Sequence, residues 1–250
     1  WMYSLGLRSA AELGLPDFIG IGAQKSGTHW LRANLAHHPS VYLPPEPKEP
    51  HFFDKEFYKR LNDYAALFAP GQGKVKGDIT PGYSTLSRRR VRFVRSVAPD
   101  ARLVFLMRNP IERAWSHALM DLVSRSGRRY EDVGDREFYA HFKRRTARRR
   151  SDYLRTLDCW LSVFPESQLF VGFYDDIVER PRALLSGVFR HIGVSEDVDW
   201  SSFPYRETIH RGPRIQMPDA CRAFLEETYG DAVEALARRF GGPAEEWRHR

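Results

Sequence analysis

Apolar positions along this chain recur with two different periods. Nearly continuous apolar runs at Phe18-Ile19-Gly20-Ile21, Val41-Tyr42-Leu43, Arg102-Leu103-Val104-Phe105-Leu106-Met107 and Gln168 to Tyr174 have the length of buried strands. Lys76 to Tyr83 predicts a further short strand running into a turn at Pro81-Gly82. Between these runs the apolar residues stand three and four apart. Trp30, Leu31, Asn34 and Leu35 predict a helix that Pro39 stops; Phe57, Leu61, Tyr64 and Phe68 predict one over 55–69, ended by Gly71 and Gly73. Further stripes are a basic helix over 86–97, Trp115, Leu119 and Leu122 behind Pro110, Tyr153 to Phe164, and Leu184 to Ile192. Met217 to Phe240 predicts a helical tail in two pieces, parted near Gly230. Strands alternate with helices throughout, so the expected fold is α/β: a single domain with a central parallel sheet flanked by helices. Its expected span is 17–250, behind an N-terminal extension over 1–16.

Composition narrows the class without naming a chemistry. The 250 residues suffice for one well-buried core, and 42% hydrophobic residues argue against disorder. No apolar run of about 18 residues spans a membrane, and the N-terminus lacks the charged and apolar regions of a secretion signal. With two cysteines, Cys159 and Cys221, and no C-x-x-C spacing, a disulfide scaffold or zinc site is not expected. A reducing, cytoplasmic setting is the expectation. The net charge of +7 points to anionic ligands, but no nucleic-acid-binding signature accompanies it.

The stretch 17–35, DFIGIGAQKSGTHWLRANL, reads strand, tight polar turn, helix N-terminus. That context binds phosphate, because the first N–H groups of a helix have no partner within it and the helix dipole favours an anion there. Gly27 lets backbone approach a phosphate closely, Thr28 adds a hydroxyl donor and Lys25 adds charge. The nucleoside-triphosphatase loop G-x-x-x-x-G-K-[ST] has its lysine after the second glycine and a hydroxyl placed for magnesium. Here Gly22 and Gly27 keep the spacing, Thr28 stands in that lysine's place, and the lysine has moved into the loop. AQKSGTHWL resembles the 5′-phosphosulfate loop of sulfotransferases that use 3′-phosphoadenylyl sulfate (PAPS). The resemblance implies a P-loop-like sulfotransferase fold, with Lys25, Ser26, Gly27, Thr28, His29 and Trp30 around the donor, PAP as product and no metal required. His29 departs from the family's second threonine; its side chain is expected to face the phosphate.

LVFLMRNPIERAWS is the second such segment. Arg108 leaves the end of a buried strand, where ligands of open α/β sheets collect, and Ser116 lies eight residues on in the next helix. The arrangement resembles the family's R-[ND]-P-x-[DE]-R-x-x-S segment, which implies that Arg108 and Ser116 hold the 3′-phosphate while Arg113 is structural. IHRGPR at 209–214 stands where the family has a basic segment over that phosphate, making Arg211, Gly212 and Arg214 candidates.

Transfer to a hydroxyl needs a base, and Lys48-Glu49-Pro50-His51-Phe52-Phe53-Asp54 offers a carboxylate and an imidazole. It resembles the E-x-H-F-F segment of glycosaminoglycan-type and bacterial sulfotransferases, which implies Glu49 as base and His51 as its neighbour; a histidine base at His51 is the alternative. Lys25 is suited to the charge that develops on the leaving phosphate. Asp78-Ile79-Thr80-Pro81-Gly82-Tyr83 resembles the family's E-K-[ST]-P-x-Y, with Ile79 replacing a lysine, and implies that Thr80 and Tyr83 line the acceptor site. Arg144, Arg145, Arg148 and Arg149 lie in a basic run that suits an anionic acceptor or one carried on an acidic protein, with Tyr139 and Phe142 interleaved for an apolar portion. Two other readings use the same loop: a P-loop-type nucleotide phosphotransferase, and a non-enzymatic polyanion-binding protein.

Overall fold

The structure, a computed structural model, describes residues 14–209 and 215–249. Five parallel strands form one sheet in the order β2-β3-β1-β4-β5: β1 Phe18–Gly22, β2 Val41–Tyr42, β3 Val75–Ile79, β4 Arg102–Met107 and β5 Leu169–Phe173. β1 is the central strand, and all five of its residues are buried. The pleat sends alternate side chains to opposite faces. Ile19, Ile21, Leu103, Phe105 and Met107 enter one core, while Phe18, Val104 and Leu106 enter another.

Helices cover both faces. On the second face lie α1 (Thr28–Leu35) and α9 (Pro181–Ile192), which bury Trp30, Leu31, Leu35, Leu184, Leu185 and Val188. The first face carries α2 (Leu61–Ala66), α3 (Arg88–Val97), α4 (Pro110–Leu119), α5 (Asp135–Lys143), α6 (Arg145–Ser151), α7 (Tyr153–Leu161) and α10 (Asp219–Phe240). α8 (Tyr174–Glu179) follows β5 directly, and α11 (Pro243–Glu246) closes the described chain with Trp247. Among the described residues no helix is long and apolar enough to cross a membrane, and both cysteines are free and buried.

Two expected elements differ. The helix over 55–69 begins only at Leu61, and Phe57 and Tyr58 are exposed. The segment before it turns on the His51 carbonyl, which accepts from the N–H groups of both Lys55 and Glu56. Phe57 then lies under the Arg90 guanidinium instead of on the core. The tail is one uninterrupted 22-residue helix, α10, because nothing packs at Gly230 and no turn is needed there. Glycine in a helix interior costs about 1 kcal/mol against alanine. Gly230→Ala is therefore expected to raise the thermal midpoint of unfolding, and a lower midpoint would show that the helix requires glycine at this turn.

Candidate functional site

The chain leaves β1 for β2 and β3 on one side and reaches β4 on the other, so the crevice at the carboxyl ends of β1 and β4 is a topological switch point. The loop after β1 fills it. The Ala23 N–H donates to the Leu106 carbonyl at 2.8 Å, tying the loop to β4. Lys25 then takes φ 72° and Gly27 φ 90° before α1 opens at Thr28. A Cβ on Gly27 would meet the end of the Ile177 side chain and press on Tyr174, and the left-handed backbone there favours glycine. Ser26 is fully buried and Thr28 nearly so.

Lys25 is partly buried. Burial lowers its pKa, and Arg108, Arg125 and Arg113 lower it further, against a smaller opposing effect of Asp121. A lysine crowded by arginines beneath a helix N-terminus is a site that demands an anion. Arg108, at the end of β4, is held by Glu112 at 3.0 Å and stands 4.5 Å above the Tyr174 ring. Ser116 lies half-buried two turns along α4. Arg113 is fully buried, donating to Ser151 Oγ and the Ala147 carbonyl, and so braces α4 on α6. Beside Gly27 opens a cavity of about 610 Å³ whose walls include Trp30, Tyr174, Arg182, Tyr205 and Ile209. Trp30 Nε1 donates to the Tyr205 carbonyl. Arg211, Gly212 and Arg214 lie outside the described residues.

The loop after β2 brings a second group of charges to the same end of the sheet. Glu49 Oε2 lies 3.1 Å from His51 Nε2, and His51 Nδ1 lies 3.0 Å from Asp54. Hydrogen bonds to Asp54 and Glu49 raise His51 to about 9, overcoming burial. Burial pushes Glu49 up, but hydrogen bonds from His29 and His51 outweigh it and hold the carboxyl down at about 2. At neutral pH, Glu49 is thus ionised and His51 is protonated. His51 sits at φ 54°; among the described residues it and Lys25 are the non-glycine residues with positive φ. Such conformations persist where surrounding structure over-determines them, often at functional sites. Gly82 leaves room for Asp54, since a Cβ there would strike Asp54 Oδ2.

Several expected roles need correction. The His29 side chain is half-exposed and turns to Glu49 at 3.6 Å, so it belongs to the carboxylate group more than to the loop's phosphate face. Thr80 and Tyr83 are fully buried and line no cleft. Their hydroxyls donate to Asp78, at 2.6 and 2.8 Å, as does Tyr64 at 2.7 Å. Burial pushes Asp78 up to about 6 even with these donors. Phe142 is buried and Tyr139 packs edge-on against Phe224, so this pair serves the core of the α5–α10 contact. Asp54 and Gly82 were not assigned from sequence; Asp54's position three residues beyond His51 was the available signal.

His51 also sets a pH dependence. Its folded pKa is raised, so the stability it contributes is present below about 6.5 and is lost as pH rises through about 9. Unfolding midpoints of the wild type should fall across that window, and the fall should shrink in His51→Gln. An unchanged profile in the variant would rule out the Asp54–His51–Glu49 ion pairing.

Comparison with known proteins bears on the family and the fold. Residues 15–203 match the family model described as a sulfotransferase domain. The chain is 28% identical over 209 residues to heparan sulfate glucosamine 3-O-sulfotransferase 3A1 of Mus musculus, covering 78% of this chain and 50% of that protein. It is 26% identical over 277 residues to bifunctional heparan sulfate N-deacetylase/N-sulfotransferase 3 of the same organism, covering 93% of this chain and 31% of that protein. The chain spans about half the length, or less, of these curated relatives. Among solved structures, a sulfotransferase from Alicyclobacillus acidocaldarius superposes with TM-score 0.73 at 23% identity, over 93% of this chain and 98% of that one, a likeness of fold. The chain, with its glycine loop at the end of β1 and its arginine at the end of β4, belongs to the sulfotransferase domain family.

Proposed function

We propose that the protein transfers a sulfuryl group from PAPS to an acceptor hydroxyl. The observation that carries the reading is the meeting, at one end of the sheet, of a lysine that demands an anion and a carboxylate kept ionised by a protonated imidazole. The residues present fit the donor. Gly27 and the N-terminus of α1 make a cradle a Cβ would fill, the adjoining cavity of about 610 Å³ suits a nucleotide, and Arg108 with Ser116 suits a second phosphate. Bound there, PAPS supplies a sulfuryl group already activated by its link to a phosphate.

The protein's part is to balance charge on both sides of that group. Lys25, with Ser26 and Thr28 beside it, stabilises the negative charge that grows on the departing 5′-phosphate. Glu49 takes the proton of the acceptor hydroxyl. His51 cannot do so at neutral pH, because it already carries its proton; held by Asp54, it positions Glu49. The acceptor we favour is a sugar hydroxyl on an anionic chain, in line with the relatives' names and with the exposed Arg144, Arg145 and Arg148. Ile79, buried against Gly20, provides no cation of its own.

Lys25→Ala is expected to lower kcat about 10²–10³-fold at saturating donor, and Arg108→Ala to weaken donor binding instead. Glu49→Gln should lose about 10²–10⁴-fold in turnover while keeping affinity for 3′,5′-adenosine bisphosphate, with His51→Ala milder. If His51→Ala proves the more severe, the histidine is the base. Calorimetric titration should find 3′,5′-adenosine bisphosphate bound more tightly than ATP–Mg²⁺; the reverse order would favour a nucleotide phosphotransferase.

Replacing Arg144, Arg145, Arg148 and Arg149 by glutamine should raise the acceptor KM and flatten its salt dependence at unchanged donor affinity. Acceptor kinetics that stay unaltered would make the basic run a solubilising surface.

A further inference from the structure

A second group of ionisable residues lies outside the machinery just described. α4 does not end cleanly at Leu119 but widens into a π-helical turn over Met120–Ser124. Insertions of this kind re-aim side chains and occur often at functional positions. Here the widened turn carries Asp121 to face His117, one turn back on α4, and His141 on α5. His117 Nε2 lies 3.4 Å and His141 Nε2 3.0 Å from the same atom, Asp121 Oδ2. The three ligand atoms all fall within 4.8 Å of one another.

Both rings are buried, with their planes crossing at 67° and their centroids 4.8 Å apart, so the two nitrogens converge on the carboxylate from different directions. The other carboxylate oxygen, Oδ1, accepts from Arg125 at 3.0 Å. That contact leaves Oδ2 as the single oxygen turned toward the imidazoles and fixes the carboxylate's orientation, as outer partners of metal ligands do.

We propose that His117, Asp121 and His141 form a binding site for a divalent transition-metal ion, most suitably zinc. Two imidazoles and one monodentate carboxylate are ligands suited to zinc and its neighbours, while magnesium and calcium prefer oxygen alone. In a tetrahedral site with bonds of about 2.0–2.1 Å, neighbouring ligand atoms stand about 3.3 Å apart. The two separations from Asp121 Oδ2, 3.0 and 3.4 Å, are close to that, and all three ligand atoms lie within 4.8 Å of one another. The fourth position falls to water.

The ion's role is positional. It would clip the end of α4 to α5 and so stiffen the turn that presents Arg125, whose charge acts on Lys25. Nothing in this requires the ion to touch the transferred group, and the proposal stands apart from the sulfuryl-transfer reading.

The test uses the full chain, stripped with a chelator and titrated with Zn²⁺ by calorimetry against a competing chelator, and separately with Co²⁺ by visible absorption. The expected result is one ion per chain, a cobalt spectrum with the intense bands of a four-coordinate site, and a thermal midpoint that rises on adding zinc. His141→Gln and Asp121→Asn should each weaken binding at least tenfold, whereas Glu49→Gln should leave it unchanged, which separates this site from the nearby Glu49–His51 group. Circular dichroism confirms that the variants fold; should one not, the wild-type cobalt spectrum and stoichiometry decide alone. Failure of the wild type to take up either ion would overturn the proposal. So would binding that survives in both His141→Gln and Asp121→Asn, or that disappears in Glu49→Gln.

Discussion

A partly buried lysine whose principal charged neighbours are arginines is electrostatically unsatisfied, and the loop at the carboxyl end of the central strand carries such a residue. Lys25 lies in a five-residue loop between the central strand and the first helix, its backbone in the left-handed region. Burial and the like charges of Arg108, Arg125 and Arg113 work against its ammonium form. In a medium less polar than water such repulsion is not screened away. The fold tolerates it because the loop is pinned from outside: Ala23 to β4, Gly27 against Ile177, Ser26 in the core.

The loop after β2 solves the complementary problem of keeping a carboxylate ionised, and does so chiefly through imidazoles. Glu49 relies on His29 and His51, and His51 in turn on Asp54. Beneath them, Asp78 gathers the hydroxyls of Tyr64, Thr80 and Tyr83. Thr80 Oγ1 also lies 3.5 Å from the His51 N–H. Residues that pattern alone would place around a substrate therefore act one layer lower, holding the backbone of the loop that carries Glu49 and His51. Polar groups at that depth are expensive unless fully paired, and the three donors to Asp78 account for why they are there.

How far the site was legible follows from the range of each interaction. The strand–helix alternation was readable, and the glycine loop after β1 and Arg108 after β4 stand at the strand ends their segments predicted, because each depends on a contiguous stretch whose period or glycine spacing reports local backbone. Lys25, Gly27 and Arg108 accordingly lie around one crevice. Thr80 and Tyr83 were misplaced because a hydroxyl looks the same in sequence whether it faces a ligand or a buried aspartate. Phe57 was misplaced because helical spacing persisted across a segment whose backbone turns around His51. Gly230 was overread, since a glycine marks permission for a break and not a break.

By itself the amino-acid sequence determined the class of fold, the position of the glycine loop between the central strand and the first helix, and which residue types are on hand for proton and phosphate chemistry. These follow from hydrophobic period, glycine placement and side-chain chemistry, all of which are local. Only the tertiary structure decided which groups share a charge. The pairing of Glu49 with His29, the crowding of Lys25 by Arg108, Arg113 and Arg125, and the approach of His141 to His117 and Asp121 depend on distances between residues on different elements of the chain. Electrostatic energy varies with those distances and with burial, and neither is written in the order of residues.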